Sequence, residues 1–270
     1  MTFNFLTMNL KEITEQVCEL SKHTAEFIHS EVDKLQTTDI EIKGIHNFVT
    51  YVDKTSENLL VKGLSEILPR TGFIAEENPG LELKEMNWVI DPLDGTTNFI
   101  HGVPVYSISI ALMDKREVIL GVVLEINQNE CFYTWKGSPS WLNGKQIHVS
   151  KTNRLEDSLL ATGFPYYDYG LLDPYMNLFR YLMQHCHGIR RLGSAAADLA
   201  YMACGRFEGF YEYGLSPWDV AAGTILVKNA GGKVTDFTSG ENYIFGKELI
   251  ATNSEITMEF MEVFKDHFRS

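Results

Sequence analysis

The stretch Trp88–Phe99 reads WVIDPLDGTTNF, an apolar run that ends in two carboxylates and hydroxyls. Asp91 and Asp94 stand three apart across Pro92, with the Leu93 carbonyl between them and Gly95 and Thr96 directly after. Carboxylates this close repel unless a cation holds them, and hard oxygen donors suit Mg²⁺ or Ca²⁺ better than softer metals. Glu76 and Glu77 end a second short apolar run, GFIAEE, and Asp219 opens the helical pattern PWDVAAG. Strand ends and helix starts are where α/β proteins assemble sites. Thr96 could orient a water, and the Gly95 and Thr96 N–H groups, if they open a helix, suit a phosphate oxygen. Each acid also fits a plainer role: Asp before Gly is common in turns, and Asp at a helix start commonly caps it.

The elements that must position these residues follow from periodicity. Leu10, Ile13, Val17, Leu20, Phe27 and Ile28 keep a helical spacing behind an Asn9/Glu12 capping box, which predicts a helix over 9–35. TTDIEIKGIHNFVTYVD reads as an irregular loop or hairpin, and KTSENLLVKGLSEIL returns to helix before Pro69. From Thr71, short β-branched and aromatic runs predict strands, with Asn143-Gly144 as a hairpin turn. After residue 150 strands and helices alternate. The segment GFPYYDYGLL reads as a packed aromatic loop, and Trp218 as the side chain that fixes the helix start beside Asp219. With no repeat and no linker, the pattern predicts a layered α/β protein with a mixed sheet, one unit or two closely packed halves, roughly 1–150 and 151–270.

Composition narrows the function. The formal net charge is -13 and no basic cluster exceeds a pair such as Arg190-Arg191, so nucleic-acid binding is not expected. Cys18, Cys131, Cys186 and Cys204 form no C-x-x-C pair and read as free thiols in a reducing compartment. His101, His148, His185 and His187 form no ligand pattern; His185 and His187 read as partners of helix-end carbonyls. No signal peptide or membrane-spanning run is visible, so the expected location is the cytoplasm, with no membrane partner.

Taken together and in order, AEE, DPLDGTTNF and WDVAAG followed by NAGG closely resemble the inositol monophosphatase family of Mg²⁺-dependent, lithium-sensitive phosphatases. The resemblance extends from the first helix through GSAAADLAYMACGRFEGFYE to ELIATN. It implies a layered α-β-α-β-α sandwich with mixed sheets, a single domain over 1–270, a homodimer, and about two to three Mg²⁺ per active site. It implies Glu76, Asp91 and the Leu93 carbonyl as ligands of a first metal, and Asp91, Asp94 and Asp219 as ligands of a second. Glu76 also serves a third, water-rich site in some relatives. Asp53, Glu76 and Thr96 are then catalytic, with Thr96 and Asp53 orienting and deprotonating the attacking water. Asp94, Gly95, Thr96, Gly193, Ser194, Ala195 and Glu212 are substrate contacts, and Lys43 matches a family lysine on a mobile loop near the metals.

The implied activity is hydrolysis of inositol monophosphate or a similar polyol phosphate, as an inositol-1-monophosphatase-like phosphoric monoester hydrolase. Relatives act instead on 3′(2′),5′-bisphosphonucleosides, fructose 1,6-bisphosphate or histidinol phosphate. The nucleotidase branch usually reads DGTKEF where this chain reads DGTTNF, which favours the inositol type. Some bacterial relatives also bind transcription or ribosome machinery, an additional role that could coexist with catalysis.

Overall fold

The structure, a computed structural model, describes residues 8–36, 38, 40–44, 47–165 and 168–268. Two helices open the chain, α1 (Leu10–Glu31) and α2 (Tyr51–Ile67). Val17, Ile28, Leu60 and Leu64 are fully buried on their inner faces; each such side chain contributes roughly 1.5–3 kcal/mol by leaving water. Helix α1 stops at Glu31 rather than 35, because Val32, although still in αR geometry, returns its N–H to the His29 carbonyl in a tightened last turn. Of the loop or hairpin expected for this segment the structure has the hairpin, β1 (Ile40–Gly44) paired antiparallel with β2 (Asn47–Thr50), which runs straight into α2. Alternation in IEIKG and NFVT is the period-two signal that its polar content obscured.

The first sheet contains β3 (Gly72–Ala75), β4 (Met86–Asp94), β5 (Ser107–Asp114), β6 (Glu117–Glu125), β7 (Glu130–Trp135), β8 (Ser140–Leu142) and β9 (Lys145–Ile147), in that spatial order. Only β3 and β4 run parallel; the rest is an antiparallel meander. The β8–β9 turn carries Asn143 at φ 47 and Gly144 at φ 81, both left-handed, as a two-residue hairpin needs. The second sheet has the order β11 (Gly188–Arg190), β10 (Leu159–Thr162), β12 (Gly209–Tyr213), β14 (Glu248–Thr252) and β13 (Lys233–Thr235).

Alternation along β4 and β5 sorts the layers. Trp88, Ile90, Ile108, Ile110 and Leu112 join the core under α1 and α2, whereas Val89, Ala111 and Met113 join the opposite core. That second core is filled by α5 (Ala195–Ala203) and α6 (Pro217–Asn229), and its far wall is Ala161, Phe210 and Ala251 of the second sheet. The outer face of that sheet packs Tyr211 and Ile250 against α4 (Leu172–His185) and α7 (Thr257–His267). The layers run α-β-α-β-α, with two mixed sheets.

Candidate active site

The site begins where β4 loses its regular pairing. Asp91 pairs with Ser109 and Asp94 with Ser107, so three steps on β4 oppose two on β5. The extra residue is a bulge, which releases the strand at Pro92, a residue with no N–H to give the ladder. The Leu93 N–H turns back to Asp91 Oδ1 at 2.9 Å. Past the bulge, Gly95 leads into a single helical turn, α3 (Thr96–Ile100).

Two further helix starts converge there. Thr50 and Asp53 form a capping box at the start of α2, and Ser216 and Asp219 form one at the start of α6. The Thr50 N–H donates to Asp53 Oδ2 at 2.8 Å, and the Ser216 N–H to Asp219 Oδ2 at 2.7 Å. Asp219 is thus a cap and a cleft residue at once: one oxygen serves the helix and the carboxyl group lines the site. The Trp218 carbonyl accepts from Ser109 Oγ at 2.8 Å, which fixes this helix start to β5.

The start of α5 closes the site from the other half. Ser194 caps this helix by accepting from the Ala197 N–H, and it donates its hydroxyl to Asp94 Oδ2 at 2.6 Å. The Ala196 N–H donates to the same oxygen at 2.8 Å. Gly193, at φ 94, sits where an added Cβ would stand 2.6 Å from Arg191 Nη1 and 2.7 Å from the Asn98 amide. No side chain fits that approach, and left-handed backbone disfavours one.

Together these elements line a cleft of about 260 Å³. One wall carries Glu76, Asp91, Leu93, Asp94, Thr96 and Asp219; the other carries Gly193, Ser194, Ala195, Asp198, Arg191 and Glu212. Asp53 lies behind the wall instead of in it. It is 1 % exposed and reaches the cleft through Thr96, whose hydroxyl stands 2.9 Å from Asp53 Oδ1 and 3.0 Å from the Leu93 carbonyl. Glu77 does not line the cleft either; its N–H donates to Glu57 Oε2 at 2.8 Å. Lys43 falls on β1, and its side chain lies outside the described residues.

The electrostatics are those of crowded, buried acids. Burial holds the Asp91 carboxyl well above the usual range, and Glu76, Asp94 and Asp219 push it further. Burial raises Asp94 to about 6, against the opposing pull of the Ser194 hydroxyl, the Ala196 N–H and Arg191. Asp219 is raised by burial and by Asp94, with the Ser216 N–H opposing. Burial also raises Asp53, although Thr50 and Thr96 donate to it. On the far wall burial takes Glu212 up to about 8, with Arg191 opposing and Asp94 adding. Among the described residues, no three His, Cys, Asp or Glu side chains lie close enough to grip one ion as they stand. The donor set still fits a hard cation: it is all oxygen, it carries several mutually repelling carboxyls, and the Leu93 carbonyl shares the wall.

The sequence profile of the inositol monophosphatase family matches residues 9–268. The chain belongs to the inositol monophosphatase family. It is 39% identical over 253 residues to the Nus factor SuhB of Pseudomonas aeruginosa, covering 92% of this chain and 93% of that one. It is 35% identical over 234 residues to the inositol-1-monophosphatase of Mesorhizobium japonicum, covering 86% and 88%. The crystal structure of the extragenic suppressor protein suhB of Bartonella henselae superposes with a TM-score of 0.86 at 34% identity, over 94% of this chain and 98% of that one. Family membership makes the chain a phosphatase of this superfamily and accounts for the layer order.

Among the cleft residues of this inositol monophosphatase family member that escaped the sequence reading are Gly163, Arg191 and Asp198. Asp198 had a signal, since it is the one carboxylate in the helix AAADLAYMA, all nine of whose residues are buried. Gly163 had none. A Cβ there would overlap the Glu212 carboxyl, a closeness across two strands that only the fold reveals. The packed aromatic loop expected of GFPYYDYGLL is only partly described. Tyr166 and Tyr167 lie outside the described residues, and Phe164 and Tyr169 are 45% and 54% exposed. Phe164 makes edge-on contacts with Tyr175 and Phe179, and its ring centre lies 5.7 Å from the Arg191 guanidinium. At the end of α4, His185 Nδ1 meets the Tyr181 carbonyl at 2.7 Å, the helix-end role expected of it.

Proposed function

We propose that the chain is a Mg²⁺-dependent phosphomonoesterase that hydrolyses inositol monophosphate or a closely similar polyol phosphate. The observation that carries this reading is the two-walled cleft: clustered carboxyls with the Leu93 carbonyl on one side, and Glu212 with Gly193–Ala195 on the other. Glu76, Asp91 and the Leu93 carbonyl would hold one Mg²⁺, and Asp91, Asp94 and Asp219 a second, with Glu76 shared toward a third. When bound, Mg²⁺ neutralises the phosphate dianion and acidifies the attacking water.

The chain's own residues do the rest. Thr96 has one hydroxyl hydrogen and two acceptors within reach. With that hydrogen bonded to Asp53, a Thr96 lone pair accepts a hydrogen bond from the water; as the water's proton passes to Thr96, the Thr96 hydroxyl proton passes to Asp53, which becomes neutral and leaves hydroxide at the site. Asp94 is held by Ser194 and Ala196, so its carboxylate stays in one orientation while the phosphate enters. The Gly95 and Thr96 backbone can approach the phosphate closely. Glu212 hydrogen-bonds to the hydroxyls of the alcohol part, and a second phosphate there would meet a buried carboxyl instead of a cation, which disfavours bisphosphonucleosides.

Supporting the wider reading, no helix among the described residues is long and apolar enough to cross a membrane. Cytoplasmic location, a homodimer and lithium inhibition through the Asp91, Asp94 and Asp219 site belong to the same proposal. A second reading has its own support: a relative 39% identical is named as a Nus factor. A contact with transcription or ribosome machinery could coexist with catalysis, and the charge of -13 favours a protein partner over direct nucleic-acid contact. Assay of the purified chain with Mg²⁺ on inositol monophosphate, 3′,5′-bisphosphonucleosides and fructose 1,6-bisphosphate tests the substrate. Preferred turnover of inositol monophosphate is expected, with Li⁺ inhibiting near-uncompetitively. A bisphosphonucleoside turned over far faster would overturn the substrate assignment and leave the phosphatase class intact.

A further inference from the structure

The far wall of the cleft holds a carboxylate with no structural duty. Asp198 is 1 % exposed, lines the cleft, and its Oδ1 has no hydrogen-bond partner among the described residues. Four other acids around the site each receive a donor: Asp53 takes Thr50 and Thr96, Asp91 takes Leu93, Asp94 takes Ser194 and Ala196, and Asp219 takes Ser216. Leaving a buried polar atom without a partner costs about 1–3 kcal/mol, more for a charged group. Such a cost is kept where a ligand supplies the missing bond.

A capping role does not explain Asp198. Ser194 already caps α5, and the helix-start donors Ala196 and Ala197 are committed to Asp94 and Ser194. Asp198 follows one turn later and lines the same cleft as Glu212. A group presented there to an incoming phosphate ester meets the alcohol part, since the phosphate is drawn to the opposite wall.

We propose that Asp198 is a specificity residue, a second hydrogen-bond partner beside Glu212 for the hydroxyls of the substrate's alcohol part, selecting esters of polyols that present two hydroxyls at once. The assignment rests on the polyol-phosphatase reading above. Two acceptors on one wall match a ring or chain with neighbouring hydroxyls, and they gain nothing from an aryl or simple alkyl ester. A substrate lacking those hydroxyls would leave both carboxyls unpaired, which is the strong way a site rejects an analogue.

The test compares Asp198→Leu and Asp198→Asn with the unaltered chain, with Mg²⁺, on myo-inositol monophosphate and on p-nitrophenyl phosphate, which has no alcohol hydroxyl. Asp198→Leu should lower kcat/KM for the inositol ester about ten- to a hundredfold, chiefly through KM. Its rate on the aryl ester should stay within about twofold, and Asp198→Asn should recover part of the loss because an amide still offers one oxygen. Thermal unfolding should show both variants at least as stable as the parent. Equal losses on both esters, or no loss on the inositol ester, would overturn the proposal. A parent chain that hydrolyses the aryl ester but no polyol phosphate would instead remove the reading on which it rests. Both variants unfolding at lower temperature would make Asp198 a structural residue and also overturn it.

Discussion

The starts of α2 and α6 carry the same local device and put it to different ends. Thr50 with Asp53 and Ser216 with Asp219 are capping boxes of matching geometry, on opposite faces of the first sheet. In each, one carboxyl oxygen satisfies the N-cap N–H. At α2 the remaining oxygen accepts from Thr96 and stays behind the cleft wall. At α6 the carboxyl opens into the cleft beside Asp91 and Asp94. The capping motif fixes a carboxylate rigidly at almost no cost, and the packing of the helix decides whether it meets a hydroxyl or a cation. Rigid capping suits both tasks, because a carboxylate that must act on a water or an ion loses efficiency when it can rotate away.

Breaking each box at its acid should separate the two ends. Asp219→Asn keeps an oxygen for the Ser216 N–H, so α6 should stay capped and the fold intact by circular dichroism. Steady-state phosphatase assay with Mg²⁺ should show at least about a thousandfold loss, since several kcal/mol of cation-mediated stabilisation is at stake. A folded Asp219→Asn protein with normal turnover would sink the assignment of Asp219 as a ligand. Asp53→Asn keeps the same cap but cannot take up a proton from Thr96. It should lower kcat about a hundredfold or more with little change in KM, and Thr96→Ser should retain most of the activity because the hydroxyl survives. A large KM change in Asp53→Asn would place Asp53 in substrate binding instead.

Smaller effects belong to the far wall. Gly163→Ala sets a methyl group against the Glu212 carboxyl. Overpacking of this kind costs about 1–3 kcal/mol, and the displaced Glu212 should blunt the preference for polyol over aryl phosphate, read as the ratio of the two kcat/KM values. Glu212 itself gives the mildest test, in stability. Its carboxyl moves from an ordinary 4.5 to about 8 on folding. A raised folded pKa means the native state holds a proton that the unfolded chain releases. The stability from Glu212 is therefore complete below about 4.5 and is lost as pH rises through about 8. In EDTA-treated protein, Glu212→Gln should raise Tm at pH 9 and leave it nearly unchanged at pH 4. An equal shift at both pH values would mean that packing, not protonation, accounts for the change.

Much of the architecture was legible in local pattern. Helix spacing, β-branched runs and the Asn143-Gly144 turn each specify an element through contacts between near neighbours in the chain. The segment at 40–50 reads as either loop or hairpin because its four- and five-residue strands are too short and polar for alternation to decide between them. The end of α1 was overextended because sequence shows where helix is favourable, not where the last turn tightens. Among site residues, the motif DPLDG announced Asp91 and Asp94, while the pairing of Asp53 with Thr96 came only through the family resemblance; in the fold the two stand 2.9 Å apart.

By itself the sequence determined the chemistry available: oxygen donors at strand ends and helix starts, a hydroxyl beside them, few basic groups and no soft-ligand cluster. It could do so because capping boxes, a proline that breaks a ladder and a glycine turn act over three or four residues. Only the tertiary structure decided which donors share a cleft. Asp94 meets Ser194 across 100 positions of chain, and Gly163 makes room for Glu212 from a neighbouring strand. Those juxtapositions come from how α5 and α6 fill the space between two sheets. The fit there is set by close packing of side chains far apart in sequence, and no local pattern encodes it.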